Sequence, residues 1–146
     1  MQIDETDKAL IAALSENARL PVADLARSLG LARTTVQARL DRLEHRGAIA
    51  GYTLKRGPAL RPALRATVLV AVAPNETATV LARLRSLPNV DRVHTTSGRF
   101  DMLVTVHAHD TEALDATLDR IGEAKGVKSS ESLIHLSTKI DRTGEG

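Results

Sequence analysis

Residues 31–49, LARTTVQARLDRLEHRGAI, form the stretch around which the chain is organised. Val36, Leu40 and Leu43 recur at i, i+4 and i+7, which puts an apolar stripe on one face of a helix that begins near Ala32. The stretch therefore predicts an amphipathic helix with a polar surface rich in hydrogen-bond donors. The residues on that surface are Arg33, Thr34, Thr35, Gln37, Arg39, Arg42 and Arg46.

A shorter helical pattern at residues 22–29 precedes this helix and is ended by Gly30. Two helices joined by a tight turn with glycine predict a helix-turn-helix, whose second helix enters the DNA major groove. Gln37 is suited to bridge adenine N6 and N7, and Arg33 to pair with guanine O6 and N7. We expect all seven polar residues of the stretch to bind DNA. The alternative is that they form only a solvated helix face.

The charge distribution supports a nucleic-acid partner. Residues 27–56 carry a net charge of +5, residues 1–26 carry −3, and the remainder is neutral. A basic patch confined to the helix-turn-helix is typical of local phosphate contact. The aromatic residues are only Tyr52 and Phe100, too few to stack the bases of a single strand. Double-stranded DNA is therefore the expected partner.

Composition excludes several other classes of protein. A chain of 146 residues suits one or two small domains, for which association is expected. The absence of cysteine excludes disulfides and thiolate metal sites and is consistent with a reducing compartment. No signal peptide or membrane-spanning run is present, so we expect a cytoplasmic protein. No nucleophile and base occur at a recognisable catalytic spacing, and no enzymatic activity or cofactor is expected.

The remaining elements predict an α+β fold in two parts. Asp4 is the expected N-cap of a first helix, so the N-terminal part is a three-helix helix-turn-helix domain. The second half reads β-α-β-β-α-β, the ferredoxin-like pattern, with one sheet face left for a partner. The expected strands span 48–55, 66–73, 90–96, 100–108 and 128–140. The expected domains are residues 1–50 for the helix-turn-helix, 51–62 for a strand and linker, and 63–146 for the ferredoxin-like domain.

These motifs give the whole chain a resemblance to the Lrp/AsnC (feast-famine) family of transcriptional regulators. The residues that carry it include Ile3–Asp7, Gly30-Leu31, Thr35-Val36, Gly51-Tyr52 and Ser97–Asp101. The resemblance implies a ligand-binding domain that dimerises through its sheets, with dimers assembling into tetramers or octamers. It also implies that amino acids or related metabolites bind between dimers. The chain departs from the family at Pro21 and Ala32, where a serine is usual before each helix of the helix-turn-helix.

The turn between the two central strands is the candidate effector site. Its residues are Thr96, Ser97, Gly98, Arg99, Phe100 and Asp101. Glycine permits close approach to a ligand, and Asp101 is suited to receive an α-ammonium group. The alternative is a hairpin turn in which Asp101 only accepts backbone N–H groups. The residues alone leave the two readings even, and the family resemblance favours the effector role.

Three further alternatives were weighed. His107 and His109 share one strand face, as a metal pair would, but no cysteine or clear carboxylate accompanies them, and we expect no metal site. Haem-precursor decarboxylases are similar in fold, yet no tetrapyrrole pocket is assignable. A ligand-sensing module that has lost DNA affinity is the third. The sequence favours a double-stranded-DNA-binding regulator whose assembly or DNA affinity responds to a small effector.

Overall fold

The computed structural model describes residues 2–143. The chain divides into two compact units, residues 1–55 and 56–146, and the division falls inside the segment that was expected to be the linker. Within the described residues, no helix combines the length and the apolar character needed to cross a bilayer.

Three helices form the first unit: α1 at Glu5–Glu16, α2 at Val22–Leu29 and α3 at Arg33–His45. Their core consists of Leu10, Leu14, Leu25, Ala26, Val36 and Leu40. Gly30 ends α2 in the left-handed conformation, with φ of 66°, and the Leu31 N–H donates to the Ala26 carbonyl at 2.9 Å. The predicted three-helix domain and its glycine turn are confirmed.

The three helix starts differ in capping. The Asp4 carboxylate accepts the Asp7 N–H at 2.8 Å, and the Asp7 carboxylate accepts the Asp4 N–H at 3.3 Å, which completes a capping box on α1. Pro21 and Ala32, the N-caps of α2 and α3, supply no side-chain hydrogen bond. An alanine N-cap in place of serine costs about 1 kcal/mol of helix stability. Stabilisation of α3 therefore has to come from its contacts with the other helices.

The second unit is a four-stranded antiparallel sheet with two helices. The elements are a 3₁₀ turn at Pro58–Leu60, β1 at Leu64–Val72, α4 at Thr77–Arg85, β2 at Val90–Thr95, β3 at Met102–Ala108, α5 at Thr111–Gly122 and β4 at Val127–Ile134. The strand order in the sheet is β2-β3-β1-β4, and with the helices this confirms the ferredoxin-like domain and the α+β class.

The two faces of the sheet differ because side chains alternate along each strand. Val68 and Val70 of β1 and Val104 and Val106 of β3 are buried in the core that α4 and α5 complete. Residues between them, such as Leu69, point to the opposite face and are only partly buried. One sheet face therefore lacks a helical layer.

Two expected strands differ from the structure. Residues 48–55 are not a strand, since the sheet is formed by β1–β4 and residues 48–55 pair with none of them. The closing strand ends at Ile134 instead of residue 140. Its last pairing is with Ala66, and one further bond joins the His135 N–H to the Arg65 carbonyl at 2.9 Å. Leu64 is the first residue of β1, so in this antiparallel register residues 137–140 lie beyond the strand and have no position to pair with.

A buried carboxylate connects α1 to α3. The Asp7 side chain has no exposed surface, and its two oxygens accept from Arg39 Nη1 at 3.0 Å and from Arg42 Nη2 at 2.7 Å. Arg39 Nη1 also donates to Asp4 Oδ2 at 2.7 Å. These four residues, which we call the Asp–Arg network, satisfy the buried charge and fix the rotation of α3 against α1.

We expect Asp7→Ala to lower the free energy of unfolding of the first unit by about 3 kcal/mol, because it breaks a buried ion pair, leaves Arg42 without its carboxylate and removes half of the capping box on α1. Glu5→Ala is the control, since the Glu5–Lys8 pair on the same helix is exposed and is worth less than about 1 kcal/mol. Urea unfolding followed by the fluorescence of Tyr52, the sole tyrosine in a chain without tryptophan, measures both. Equal losses in the two variants would contradict a supporting role for Asp7.

The network also predicts a pH dependence. The hydrogen bond from Arg39 holds the pKa of Asp4 below its ordinary value of 3.8. The unfolded chain therefore takes up this proton at a higher pH than the folded chain, so the stabilisation is present above about pH 4 and is lost as the pH falls through the lowered pKa.

Unfolding of the first unit measured from about pH 6 down to about pH 2 should show a steeper loss of stability in the wild type than in Asp4→Asn. The other carboxylates titrate in both proteins, so the difference between the two curves isolates Asp4. Parallel curves would mean that Asp4 titrates alike in the folded and unfolded chains.

Candidate functional site

The N-terminal end of α3 presents the polar surface predicted from the sequence. Arg33, Thr34, Thr35 and Gln37 are exposed, while Val36 between them is fully buried in the helical core. Because Val36 anchors this turn to the core, the four polar side chains project together from the same end of the helix. The surface consists of one guanidinium, two hydroxyls and one amide, which are the groups that read base edges in a major groove.

The seven residues expected to bind DNA fall into different structural groups. Among residues 2–143, Arg33 and Arg46 have no side-chain hydrogen bond or ion pair. Gln37 Nε2 donates to Asp41 Oδ1 at 2.8 Å across one exposed turn. Arg39 and Arg42 belong to the Asp–Arg network, and the Arg39 side chain is only 26% exposed. The exposed guanidiniums without a partner thus stand at the two ends of α3.

Sequence analysis assigned Asp4 and Asp7 only to the start of α1 and missed their contacts with α3. The carboxylate at Asp7 is separated from Arg42 by 35 residues, so no local pattern joins them. A signal was present nonetheless, because Asp7 precedes the buried Leu10 and Leu14 at helical spacing and so lies on the apolar stripe. A buried carboxylate on such a stripe is expected to have a hydrogen-bonding or cationic partner.

Tyr52 is a second contact to α3 that the sequence did not reveal. Its hydroxyl donates to Glu44 Oε1 at 2.7 Å, and this hydrogen bond to a carboxylate raises the pKa of Tyr52. The contact lies on the last turn of α3, away from the exposed residues at its N-terminal end. The segment after α3 is therefore attached to the helix by a side chain.

The six candidate effector residues lie together in the loop 96–101 between β2 and β3. Thr96 closes the loop, since its N–H donates to the Asp101 carbonyl at 2.9 Å and its hydroxyl donates to the Phe100 carbonyl at 2.7 Å. Gly98 has φ of 105°, which favours glycine, and a Cβ placed there would meet no atom within 4 Å. Space for a ligand is therefore open beside Gly98.

Asp101 fastens this loop to the central strand β1. Its N–H donates to the Val70 carbonyl at 2.9 Å, and its Oδ2 accepts the Val72 N–H at 2.7 Å. One carboxylate oxygen of Asp101 therefore accepts a backbone N–H group, as expected if the loop is only a structural hairpin turn. Arg99 lies over the Phe100 ring at 5.0 Å and pairs with Glu131 at 3.4 Å. The loop backbone is therefore held to β1 by hydrogen bonds, and the loop exposes both an aromatic ring and a guanidinium group.

The histidines make pairwise contacts. His107 Nδ1 lies 2.7 Å from Asp91 Oδ1, and His135 Nε2 lies 2.8 Å from the Thr67 hydroxyl. Across the part of the chain that the structure describes, no three His, Asp or Glu side chains form a group that could hold a metal ion. His109 Nε2 lies 3.1 Å from Oδ2 of its neighbour Asp110.

Both units match known domain families. Residues 3–44 match the AsnC-type helix-turn-helix domain, and residues 65–145 match the Lrp/AsnC ligand binding domain. The second match alone spans more than half of the chain.

Similar proteins and structures agree with these matches. The HTH-type transcriptional regulator FL11 of Pyrococcus horikoshii is 31% identical, with 97% of this chain and 94% of that protein covered. The structure of AsnC from E. coli has a TM-score of 0.89 at 27% identity, with 98% of both chains covered. The feast or famine regulatory protein from M. tuberculosis, complexed with L-methionine, has a TM-score of 0.85 at 28% identity, with 97% of both chains covered.

The helix-turn-helix surface, the ligand-binding domain and the relatives lead to the same assignment, which replaces the decarboxylase alternative. The chain belongs to the Lrp/AsnC family and is a DNA-binding transcriptional regulator with a ligand-binding domain, not an enzyme.

Proposed function

We propose that the protein reads a specific double-stranded DNA sequence through α3 and that a small effector, an amino acid or a related metabolite, changes its assembly or its DNA affinity. The exposed cluster at the N-terminal end of α3 is the observation that carries the DNA-binding part. We place its action in the cytoplasm, where bacterial and archaeal DNA is found.

The polar residues of α3 have different proposed roles, which follow from their exposure and their contacts. Arg33, Thr34, Thr35 and Gln37 read base edges, because they are exposed at the end that enters the groove. Arg46 contacts phosphate from the other end of the helix. Arg39 and Arg42 act mainly as supports, since Asp4 and Asp7 already accept their hydrogen bonds, and their remaining N–H groups can still reach phosphates.

The DNA-reading surface is tested by three alanine variants. Arg33→Ala and Gln37→Ala should each reduce discrimination between the specific site and other DNA by about 1–3 kcal/mol, the value of a bidentate base contact. Arg46→Ala should weaken binding to all sequences about equally and lower the salt slope by about 1. Fluorescence anisotropy with the DNA upstream of the protein's own gene, over a series of salt concentrations, measures both quantities.

Arg85→Ala is the matched control, because it removes an arginine from α4 in the other unit. If the three α3 variants kept full specific binding, α3 would not be the reading helix. If the wild type failed to bind any duplex, the alternative of a ligand-sensing module without DNA affinity would hold.

The helix-free sheet face supports the proposal of an oligomer. Leu69 of β1 and Leu103 of β3 face each other on it, and Leu133 of β4, opposite Thr67, is 50% exposed. A second copy of the chain would bury these leucines, since apolar side chains on an open sheet face are stabilised by a covering layer. We propose a dimer formed in this way, with dimers assembling further into tetramers or octamers.

The loop 96–101 supports the effector part of the proposal. It combines open space beside Gly98 with a backbone braced by Asp101, and a pre-formed loop loses little conformational freedom when it binds a ligand. Two similar structures contain L-methionine, that of the M. tuberculosis regulator and that of a Neisseria meningitidis regulator at 25% identity. We therefore propose that Thr96, Ser97, Gly98, Arg99, Phe100 and Asp101 shape an amino-acid site.

A thermal-shift screen with L-methionine and the other nineteen amino acids tests this site. Asp101→Ala removes the acceptor of the Val72 N–H and should abolish the ligand-induced rise in Tm, with DNA binding without ligand nearly unchanged. Gly98→Val should abolish it too, because a β-branched residue is strained at φ of 105°. Asp119→Ala, an exposed carboxylate on α5, is the control.

Asp101→Asn separates two ways in which Asp101 can act. An amide oxygen still accepts the Val72 N–H, so a retained response would assign Asp101 to bracing the loop, whereas a lost response would assign its charge to the ligand's ammonium group. If Asp101→Ala and Gly98→Val both showed the same ligand-induced rise in Tm as the wild type, the effector site would lie elsewhere.

A further inference from the structure

A carboxylate stands on the exposed surface of α3, the helix proposed to read DNA. Residues 27–56 contain two acids, Asp41 and Glu44, among seven arginines and lysines. Asp41 is exposed and lies one helical turn after Gln37, on the side of α3 away from the buried Leu43. A negative charge on a surface that approaches phosphates weakens binding to DNA of any sequence. Asp41 is therefore unsuited to phosphate contact, and another role has to be sought for it.

The two acids of this stretch have different partners. Glu44 Oε1 accepts from the Tyr52 hydroxyl at 2.7 Å, in the last turn of α3. Asp41 Oδ1 accepts from Gln37 Nε2 at 2.8 Å. Within residues 2–143, Asp41 forms no ion pair, although arginines precede and follow it along the helix. The contact of Asp41 is thus directed to the amide of Gln37, one of the four residues proposed to read base edges.

This hydrogen bond determines which way the Gln37 amide faces. A carboxylate only accepts hydrogen bonds, so the NH₂ group of Gln37, and not its carbonyl oxygen, has to turn towards Asp41. One N–H is then engaged with Asp41, which leaves the second N–H and Oε1 for DNA. A neighbouring donor and acceptor of this kind pair with N7 and N6 of adenine. The amide is therefore already oriented for adenine in the free protein.

Orientation matters because the amide torsion of a glutamine side chain is broadly distributed. A free amide presents its donor and acceptor in either order and loses conformational freedom when it binds a base, whereas a pre-organised amide loses less. We propose that Asp41 is a positioning residue that holds the Gln37 amide for recognition of adenine and contributes to sequence specificity through it. This inference rests on the proposed function, because it requires Gln37 to contact a base.

Fluorescence anisotropy tests the role of Asp41, with the DNA upstream of the protein's own gene and with a random-sequence duplex of equal length. The ratio of the two Kd values measures discrimination. Asp41→Ala should lower discrimination about three- to tenfold, a part of the value of a bidentate base contact. It should not weaken binding to the random duplex, because a charge that repels phosphates is removed.

Two further variants serve as controls. Asp41→Asn keeps an oxygen that accepts the Gln37 N–H and should retain most of the discrimination. Glu16→Ala removes an exposed carboxylate from the end of α1 and should discriminate as the wild type does. If Asp41→Ala weakened binding to both duplexes by the same factor, the effect would be general damage to the helix and would contradict the proposal. An equal loss of discrimination in Asp41→Asn and Asp41→Ala would also contradict it, because the charge alone would then act.

The double variant Gln37→Ala/Asp41→Ala separates action through Gln37 from a direct base contact by Asp41. Its discrimination should equal that of Gln37→Ala alone, because residues that act as a unit are not additive. Exchange of single A·T pairs for G·C in the specific duplex should show that Gln37→Ala and Asp41→Ala lose discrimination at the same base pairs.

A further loss in the double variant would overturn the proposal and assign Asp41 a contact of its own, such as cytosine N4. Wild-type discrimination in Asp41→Ala, with reduced discrimination in Gln37→Ala, would overturn the positioning role alone and leave the proposed function intact. If Gln37→Ala itself discriminated as the wild type does, base reading by Gln37 would be wrong, and the role of Asp41 with it.

Discussion

The DNA-binding unit depends on one buried carboxylate. Asp7 has no exposed side-chain surface, yet it carries a charge that Arg39 and Arg42 of α3 satisfy. A buried ion pair adds little net stability compared with an apolar contact of the same shape, but it is directional and admits few alternative arrangements. If α3 presents Arg33 and Gln37 to DNA as we propose, that directionality matters more than the energy. The arginines that support α3 thus come from the same basic stretch as those that face outward.

The two faces of the sheet in the second unit also differ in role. Alternation along β1 and β3 sends Val68, Val70 and Val104 into the core beneath the helices, while intervening residues form the other face. That face is not uniform, because Leu69 faces Leu103 on it while Arg65 faces His107 towards one end. A single sheet therefore separates a core face from an open face, which we propose a second copy of the chain covers. The strands that fix these surfaces also carry the loop 96–101.

Sequence patterns predicted the elements whose signals are local. The stripe of Val36, Leu40 and Leu43, the Gly30 turn and the β-α-β-β-α-β order are all confirmed, because helix periodicity, caps and strand alternation are properties of neighbouring residues. The strand expected at 48–55 was wrong because an apolar stretch shows strand propensity without showing whether a partner strand exists. The Asp–Arg network escaped prediction for a related reason, since it joins side chains that are more than 30 residues apart.

The hydrogen bonds of Asp101 connect the loop 96–101 to the sheet, so they provide a route by which a ligand at the loop would affect the strands. Two bonds attach this residue to β1 at Val70 and Val72, and β1 is the strand that pairs with both β3 and β4. The pairing of β1 with β4 shifts register between Ala71 and Val72, next to these bonds. An irregular ladder position has fewer backbone bonds to resist a shift than a regular one. A displacement of Asp101 would therefore act on β1 directly beside the irregular position of its pairing with the outer strand β4.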